Sequence, residues 1–592
     1  MNFNIRNPLP GISTLDRYIP EILHPIFPRP AKINILFVCE GLAFNSSNGF
    51  SFKLIIDTLR NETDVKYANF DVTLASWASN PASTIQKDNT PATYQATFSN
   101  YRFSSFDPDK GTLILDDYDE VWLFGITPNA NFAQSKASIL GSNVCPTNDD
   151  LIALTRWMNR GGGVLAMGDH ASLGANLCAR IPRVWTMRRW TEEDGAPPRI
   201  GEDRVDTNQP MWDSQNPNIN TPPETIPFEA QSDDIPQKIQ PRKYKVGSYI
   251  FGGWRPHPVL CGGKLGVLDV LPDHPHEGWI KETTDINLNA DILLDSPPAD
   301  INTEEYPTIS GNQPKPEVIA WGNTLPSPPY DFEKGETDAK HFGVIGAYDG
   351  QKISLGRVVV DSTWHHWMSI NLSGDYEPFF DGDPDVAGNQ DLVGLKEAND
   401  TNYKKVIAYY KNVAVWLAPP TKQQSMLTYT AFWSVLSTHA MQDWRLDTPV
   451  FLLGKEGLNV LGRSTSDCFV RRWIRDFLPE ILDKFDIFEG KIPSPRDPFG
   501  PLCLTCPPIE HLETIAMGTL LHNMMQLRNQ LLDNTLSNKK LCEDDIQKEL
   551  FKITEKTKSE VNELISKRIE TELKLFTKKE TKKRRTRKTS KA

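Results

Sequence analysis

The sequence lacks the features of a membrane-bound or secreted chain. Among its 592 residues, no apolar run approaches the roughly 18 that a membrane-spanning helix requires. The first residues, MNFNIRNPLPGIS, do not have the basic and then apolar layout of a secretory signal peptide. The eight cysteines are scattered without the spacing of a disulfide framework, which is typical of a reducing compartment. We therefore expect a cytoplasmic protein that does not enter the membrane.

Common cofactor motifs are absent as well. The segment EGLAFNSSNGFS (40–51) contains glycines and hydroxyl groups, but it has neither the G-x-G-x-x-G nor the Walker pattern. Cys503 and Cys506 have the spacing of half a zinc site, but no second pair follows. The sequence therefore predicts neither a nucleotide cofactor nor a zinc knuckle.

The charge is unevenly distributed along the chain. The total is −12, but the tail 578–592 contains nine Lys and Arg and one Glu, so its charge of +8 leaves −20 for the rest. An acidic body argues against a general nucleic-acid-binding protein. The tail is interpreted as disordered and solubilising, and a contact with an anionic polymer is the alternative.

Strand and helix patterns alternate through the first two thirds of the chain. The predicted helices are 50–60, 151–160, 171–181 and 402–418. The predicted strands are 32–39, 71–77, 120–126, 164–169, 262–271, 316–322, 341–350 and 356–367. Because the strands are continuously apolar and alternate with helices, we expect a doubly wound, mostly parallel α/β sheet that is covered on both faces.

The sequence also predicts the domain boundaries. An N-terminal arm (1–30) precedes an α/β domain (31–420), which two long polar insertions at 191–245 and 281–316 interrupt. After Pro419-Pro420 the apolar spacing becomes helical throughout, which predicts an all-α domain over 421–576. Within it, 544–576 is predicted as one amphipathic helix. The basic tail follows at 577–592.

The order of motifs in residues 31–418 resembles the ThuA-like branch of the class I glutamine amidotransferase-like superfamily. The similar segments are LFVCEG at the first strand, RWMNRGGGVLAMGDH at a central turn, RPHPVL at 255–260, and GRVVVDSTWHHW followed by VIAYYKNVAVWLA. The resemblance implies a flavodoxin/amidotransferase-like fold and a link to sugar metabolism. It does not cover the helical domain.

One departure from the superfamily bears on the chemistry. Its amidotransferases carry a cysteine at the turn after the central strand, where this chain has Gly168, Asp169 and His170. Cys178 lies about two turns into the next predicted helix. Cysteine-dependent glutamine hydrolysis is therefore not expected.

Asp169 and His170 are the first candidate site. Ligands of doubly wound sheets collect at the carboxyl ends of the strands, so the loops 40–50, 125–135 and 168–174 are expected to lie together. His170 would be a general base or a metal ligand, and Asp169 its neighbour. Alternatively, Asp169 caps the following helix. Glu40 and Asn45, in the first of these loops, are expected to bind substrate.

The segment VVVDSTWHHW supplies the second candidate site. Asp361 ends an apolar run, and His365 and His366 follow within a few residues. These histidines could act as catalytic groups, bind a metal together with His170, or pack in the core. Trp364 could stack on a sugar ring.

Three further groups are weaker candidates. His257, in RPHPVL, is assigned to substrate binding, although a structural role is the alternative. His274, His276 and Glu277 are interpreted as part of a surface loop. The four arginines in 180–189 could form a cationic wall, but a solvated or ion-paired face is favoured.

The sequence leaves two functions open. The first is an enzyme, hydrolase-like or sugar-modifying, that acts on a small molecule through metal-assisted or metal-free acid–base chemistry. The second is a non-catalytic ligand sensor or scaffold, whose helical domain binds a protein partner. A divalent metal ion is the cofactor that these residues could bind.

Overall fold

A computed structural model describes most of the chain, and everything below concerns the residues it describes. These are 30–41, 43–46, 50–61, 67–125, 135–168, 172–196, 237–246, 253–272, 279–324, 338–373, 400–437, 444–464, 467–477, 509–536, 546, 548–564 and 567. They fall into two compact units. One contains residues 32–244 and 254–423, and the other contains 1–31, 245–253 and 424–592.

The first unit is built on a twelve-stranded mixed sheet. The longer strands of the sheet are β1 (Ala31–Glu40), β2 (Ala68–Trp77), β4 (Phe98–Tyr101), β5 (Glu120–Gly125), β6 (Gly163–Met167), β14 (Glu317–Thr324), β15 (Lys340–Tyr348) and β16 (Val358–Asp361). Its two-residue strands are β3 (Gln86–Lys87), β7 (Arg188–Arg189), β9 (Gln240–Pro241) and β13 (Trp279–Ile280). Two small ribbons pair β8 (Gln237–Lys238) with β12 (Val270–Leu271), and β10 (Tyr244–Val246) with β11 (Gly253–Arg255).

The helices of the chain are named in order. They are α1 (Lys53–Arg60), α2 (Lys136–Leu140), α3 (Asn148–Asn159), α4 (Ala175–Cys178), α5 (Ser369–Ser373), α6 (Asp400–Leu417), α7 (Pro420–Ser437), α8 (Val450–Ser464), α9 (Asp467–Phe477), α10 (Ile509–Leu536) and α11 (548–564). Within the described ranges, none of them has the length and apolar character needed to cross a membrane.

The predicted α/β class is confirmed, and the central strands are parallel. The neighbours run in the order β2-β1-β5-β6-β16, and β1/β5, β5/β6 and β6/β16 are parallel pairs. The chain starts inside the sheet at β1, places β2 on one side and then crosses to β5. The point between β1 and β5 is therefore where the strand order reverses, and ligands of open α/β sheets bind at such points.

The pairs that β15 makes are antiparallel, so the sheet is mixed. β15 pairs antiparallel with β16, β14 and β13. The predicted strand over 262–271 is wrong for most of its length, because only Val270–Leu271 is a strand and Gly263–Leu265 is a turn of 3₁₀-helix. Gly266 there has a φ of +88°, which an extended strand does not accept.

Helices cover both faces of the sheet. On one face, Leu151, Leu154, Trp157 and Met158 of α3 pack with the side chains of Leu36, Val38, Val164 and Val360. On the other face, Phe52, Ile55 and Ile56 of α1 are buried, and the Phe52 ring lies 5.5 Å from that of Phe37. Successive side chains of a strand point to opposite faces, so the two cores share the same strands.

In the second unit, the described residues after 424 are mainly helical. α8 and α10 make close contact, and α9 and α11 carry buried side chains such as Trp473 and Val561. The predicted amphipathic helix is observed over 548–564. Leu550 and Val561 are buried, as their spacing predicts, but Leu564 is exposed. The basic tail and the N-terminal arm up to residue 29 lie outside the described residues.

Candidate functional site

The carboxyl ends of the parallel strands form one edge of the sheet. Glu40 pairs with Gly125 across β1 and β5, Phe124 pairs with Met167, and Met167 pairs with Asp361 across β6 and β16. Glu40 and Asp361 are therefore at the same edge, three strand spacings apart, or roughly 14 Å. Asp361 and Glu40 therefore lie at the same end of the sheet.

Asp361 is the centre of a buried hydrogen-bond network. Its Oδ1 lies 2.8 Å and its Oδ2 3.0 Å from Nδ1 of His366. Oδ2 also accepts from Trp367 Nε1 at 3.2 Å and from the Tyr409 hydroxyl at 3.0 Å. Oδ1 accepts in addition from the backbone N–H of Thr363 at 3.3 Å. The carboxyl group is fully buried.

This geometry fixes the tautomer of His366. An ionised carboxylate only accepts hydrogen bonds, so Nδ1 of His366 carries a proton and donates it to Asp361. In the neutral ring, Nε2 is then the nitrogen with the lone pair, which can accept a proton or bind a metal. The backbone of this residue is also held, because its carbonyl accepts from the Tyr410 hydroxyl.

The neutral ring of His365 has the other tautomer. Its Nδ1 lies 3.4 Å from Nδ2 of Asn371, an amide nitrogen that donates, so the proton of the neutral ring is on Nε2. Its ring stacks on Trp364, with centroids 3.8 Å apart, and Trp364 in turn contacts Phe50 edge to face at 4.9 Å. His365 is buried, whereas Trp364 is half-buried. The adjacent histidines therefore have opposite tautomers, with the proton on Nδ1 in His366 and on Nε2 in His365.

The loop after β16 is joined to the first helix of the sheet. The backbone N–H and the hydroxyl of Ser369 both donate to the carbonyl of Ser51, at 2.9 and 2.8 Å. The Ser369 hydroxyl accepts from the N–H of Leu54 at 3.0 Å. The N-cap residue of α1 is Phe52, whose side chain cannot accept a hydrogen bond from the free N–H groups of the helix. The Ser369 hydroxyl, from a distant part of the chain, accepts one instead.

Glu40 is at the same edge as Asp361 but on the other face of the sheet. Side chains alternate along a strand, and Val38 of β1 and Val360 of β16 both belong to the core under α3. Glu40 shares that face, whereas Asp361 points to the opposite one. Consistent with this position, burial, and then the charge of Glu40, raise the pKa of the Cys178 thiol, although Arg188 opposes them.

The other predicted substrate residues are more distant. Asn45 is exposed in the loop after β1. His257 is buried, its Nδ1 accepts from the N–H of Val259, and its ring contacts Trp416 edge to face at 4.9 Å. Trp416 follows Tyr409 by seven residues on α6, or roughly 10 Å along the helix axis. The observed contacts of His257 therefore lie near the carboxyl end of α6, away from Asp361.

Several predicted residues cannot be placed. Asp169 and His170 lie outside the described residues, as do His274, His276 and Glu277, and so do Cys503 and Cys506. Gly168, the last described residue before this gap, lies close to Leu173. A Cβ on Gly168 would lie 2.4 Å from the carbonyl oxygen of Leu173, so only glycine fits there. In the described part of the predicted helix 171–181, which is 172–181, residues 175–178 are helical, as α4.

Arg188 was not expected at this edge. The sequence favoured a solvated or ion-paired face for the arginines of 180–189, and Arg189 does pair with Asp285 at 3.0 Å. Arg188, however, is fully buried. Its Nη1 would be 2.5 Å from a Cβ on Gly168, and its guanidinium carbon lies 4.4 Å from the centre of the Trp190 ring. The bare pattern RRW could not distinguish the buried arginine from the exposed one.

The sequence predicted His170 and His365 as ligands of a metal ion. Within the described residues, no group of three or more His, Cys, Asp and Glu side chains is arranged to hold a metal ion. The predicted ligand His365 is described, but its predicted partner His170 is not. Comparisons with protein-family models, with curated proteins and with solved structures find no match to this chain.

Proposed function

We propose that this chain is a hydrolase-like enzyme in which His366 is the general base and Asp361 orients it. The observation that carries the proposal is the buried hydrogen bond between Asp361 and Nδ1 of His366, at 2.8 Å. A histidine oriented in this way by a carboxylate can remove a proton from water or from a hydroxyl group, and the carboxylate stabilises the imidazolium that forms.

The position of the pair supports the same proposal. It lies at the carboxyl end of β16, at the same end of the sheet as the switch point between β1 and β5 and two strands beyond β5. The strand order β2-β1-β5-β6-β16 is that of flavodoxin-like sheets, which favours the flavodoxin/amidotransferase-like arrangement and the ThuA-like resemblance. Trp364, half-buried beside His365, offers an aromatic surface suited to a sugar ring, so we propose a carbohydrate-derived substrate.

The test is a panel of chromogenic esters, glycosides and phosphate esters given to the full-length protein. We expect turnover of one class, and a loss of about 10²–10⁴-fold in His366→Ala, the range for removal of a general base. Asp361→Asn should also lose activity. His341→Ala is the control, because His341 is exposed and lies outside the network.

Each other outcome has a defined meaning. Full activity in His366→Ala, or a folded wild-type protein that turns over no member of the panel, would contradict the proposal. In the second case the ligand-sensing alternative would gain. Repeating the assay after treatment with a chelator tests the metal-assisted variant, in which His170 and His365 would hold the ion.

A further inference from the structure

Tyr409 and Tyr410 are adjacent on α6, yet their hydroxyl groups serve different partners. Both tyrosines are fully buried, and both rings contact Trp367, with centroids 5.3 and 5.0 Å away. The Tyr409 hydroxyl donates to Oδ2 of Asp361 at 3.0 Å. The Tyr410 hydroxyl donates to the backbone carbonyl of His366. Of the two tyrosines, Tyr409 is therefore the one that donates a hydrogen bond to the carboxylate next to the imidazole.

We propose that Tyr409 is a positioning residue that sets the strength of the His366–Asp361 hydrogen bond by taking part of the carboxylate charge. The proposal rests on the role of His366 proposed above. Oδ2 accepts from Tyr409, from Trp367 and from His366, so the three donors share the electron density of one oxygen. When one donor is removed, more of the carboxylate charge is available to the remaining donors, so their hydrogen bonds become stronger.

The surroundings of Tyr409 suit this role. Burial, together with the charge of Asp361 and the hydrogen bond to it, raises the pKa of Tyr409 well above its usual range, so the phenol stays protonated and remains a donor. Both phenols of α6 lie beside the pair, that of Tyr409 at Asp361 and that of Tyr410 at the carbonyl of His366. Tyr409 is the one of these whose hydroxyl reaches the carboxylate.

The position of Tyr409 also has a consequence for assembly of the site. Asp361 and His366 lie on β16 and its loop, whereas Tyr409 lies 48 residues after Asp361. The imidazole is therefore tuned by a separate element, and α6 must be docked on this face of the sheet before the network is complete.

The test follows the Nδ1–H proton of His366 by NMR in the full-length protein. A proton held between an imidazole and a carboxylate resonates at low field, and the signal is assigned by its loss in His366→Ala. In Tyr409→Phe we expect this resonance to move to lower field, because Asp361 then gives more charge to His366. In Tyr410→Phe we expect no movement, although the same volume of hydroxyl group is removed.

A second variant keeps the test independent of packing. Incorporation of 3-fluorotyrosine at position 409 makes the phenol a stronger donor at nearly the same size, so the resonance should move to higher field. Shifts of opposite sign would support the proposal, since a merely structural role does not predict them. If Tyr409→Phe does not fold, the direction of the fluorotyrosine shift decides.

Two results would overturn the proposal and leave the proposed function intact. One is an unmoved resonance in both Tyr409 variants. The other is an equal shift in Tyr409→Phe and Tyr410→Phe, which would assign the effect to packing. If the wild-type protein has no low-field signal that His366→Ala removes, the Asp361–His366 pair is not formed, and the proposed function falls together with this inference.

Discussion

The carboxyl group of Asp361 accepts hydrogen bonds from four groups: a histidine, a tryptophan, a tyrosine and a backbone N–H. A buried carboxylate is costly unless its oxygens are satisfied, so these donors allow a charge to persist at a fully buried strand end. At the scale of single residues, the network therefore satisfies both carboxyl oxygens and favours the His366 tautomer with its proton on Nδ1.

Glu120 is a buried carboxyl group that accepts fewer hydrogen bonds than Asp361. It is fully buried at the amino end of β5, and its Oε2 accepts from Trp122 Nε1 at 2.9 Å. Within the described residues, Oε1 has no hydrogen-bond partner. Burial raises the pKa of Glu120 well above its usual range, although the bond from Trp122 acts in the opposite direction. The folded protein therefore keeps this group protonated at pH values where the unfolded chain ionises it.

The sign of the pH dependence follows directly. The contribution of Glu120 to stability is complete below about pH 4.3, the ordinary value for glutamate, and decreases as the pH rises toward the folded-state value. Glu120→Gln removes this loss, so we expect the free energy of unfolding of the variant, relative to that of the wild type, to increase between pH 4 and pH 7. Chemical denaturation of both proteins at pH 4 to 8 measures the gap between their free energies of unfolding.

The gap between the variant and the wild type should widen as the pH rises. Glu192→Gln is the control, because Glu192 is exposed. A gap that narrows with rising pH would show that Glu120 is ionised in the folded protein.

At the scale of elements, the helical unit depends on one close approach. A Cβ on Gly518 of α10 would lie 1.8 Å from the carbonyl oxygen of Val450, and a Cβ on Gly454 of α8 would lie 1.7 Å from that of Thr514. The two backbones therefore touch at both glycines. This contact explains why two helices with ordinary apolar sequences need glycine at these positions.

We expect Gly518→Ala to destabilise the helical unit by about 3 kcal/mol, because a backbone carbonyl cannot move aside. Gly457→Ala is the matched control. Its added Cβ would meet Cδ1 of Leu521, which is the end of a side chain and can change rotamer. Thermal unfolding followed by circular dichroism compares them, and equal losses would contradict the close approach.

At the scale of the whole molecule, the chain consists of two compact units, each with its own buried side chains. A unit with its own core opens and closes as a cooperative body, so a local change should affect mainly its own unit. In the α/β unit, a buried ion pair provides the test position. Arg102 Nη2 lies 2.8 Å from Asp150 Oδ2, and that carboxylate also accepts from Ser104 and Thr147.

Asp150→Ala leaves Arg102 buried without its partner, which costs about 3–5 kcal/mol. We expect faster amide hydrogen exchange in α3 and β4 and unchanged exchange in α8 and α10. Gly518→Ala should give the reverse pattern. Acceleration throughout the chain in both variants, measured by mass spectrometry, would show that the two units unfold together.

Much of the α/β unit was predictable, because its longer strands and helices have characteristic local sequence patterns. Continuous apolar runs predicted β1, β5, β6, β15 and β16, and the acidic first turn of α3 placed its start within a few residues. The antiparallel direction of β15 was not predictable, since an apolar run buried on both faces has the same composition in either direction. The 3₁₀ turn at 263–265 was missed because hydrophobic spacing outweighed its glycines.

The candidate site was also predictable in part. The sequence by itself determined that Asp361, His365 and His366 follow a buried strand, because an apolar run ending in polar residues marks a strand end. Only the tertiary structure decided which of them work together. It separated Glu40 from Asp361 by the alternation of side chains across the sheet, placed His257 against Trp416, buried Arg188 behind Gly168, and brought Tyr409 to the carboxylate. Contacts between residues far apart in the chain depend on how helices and strands pack, and no local pattern encodes them.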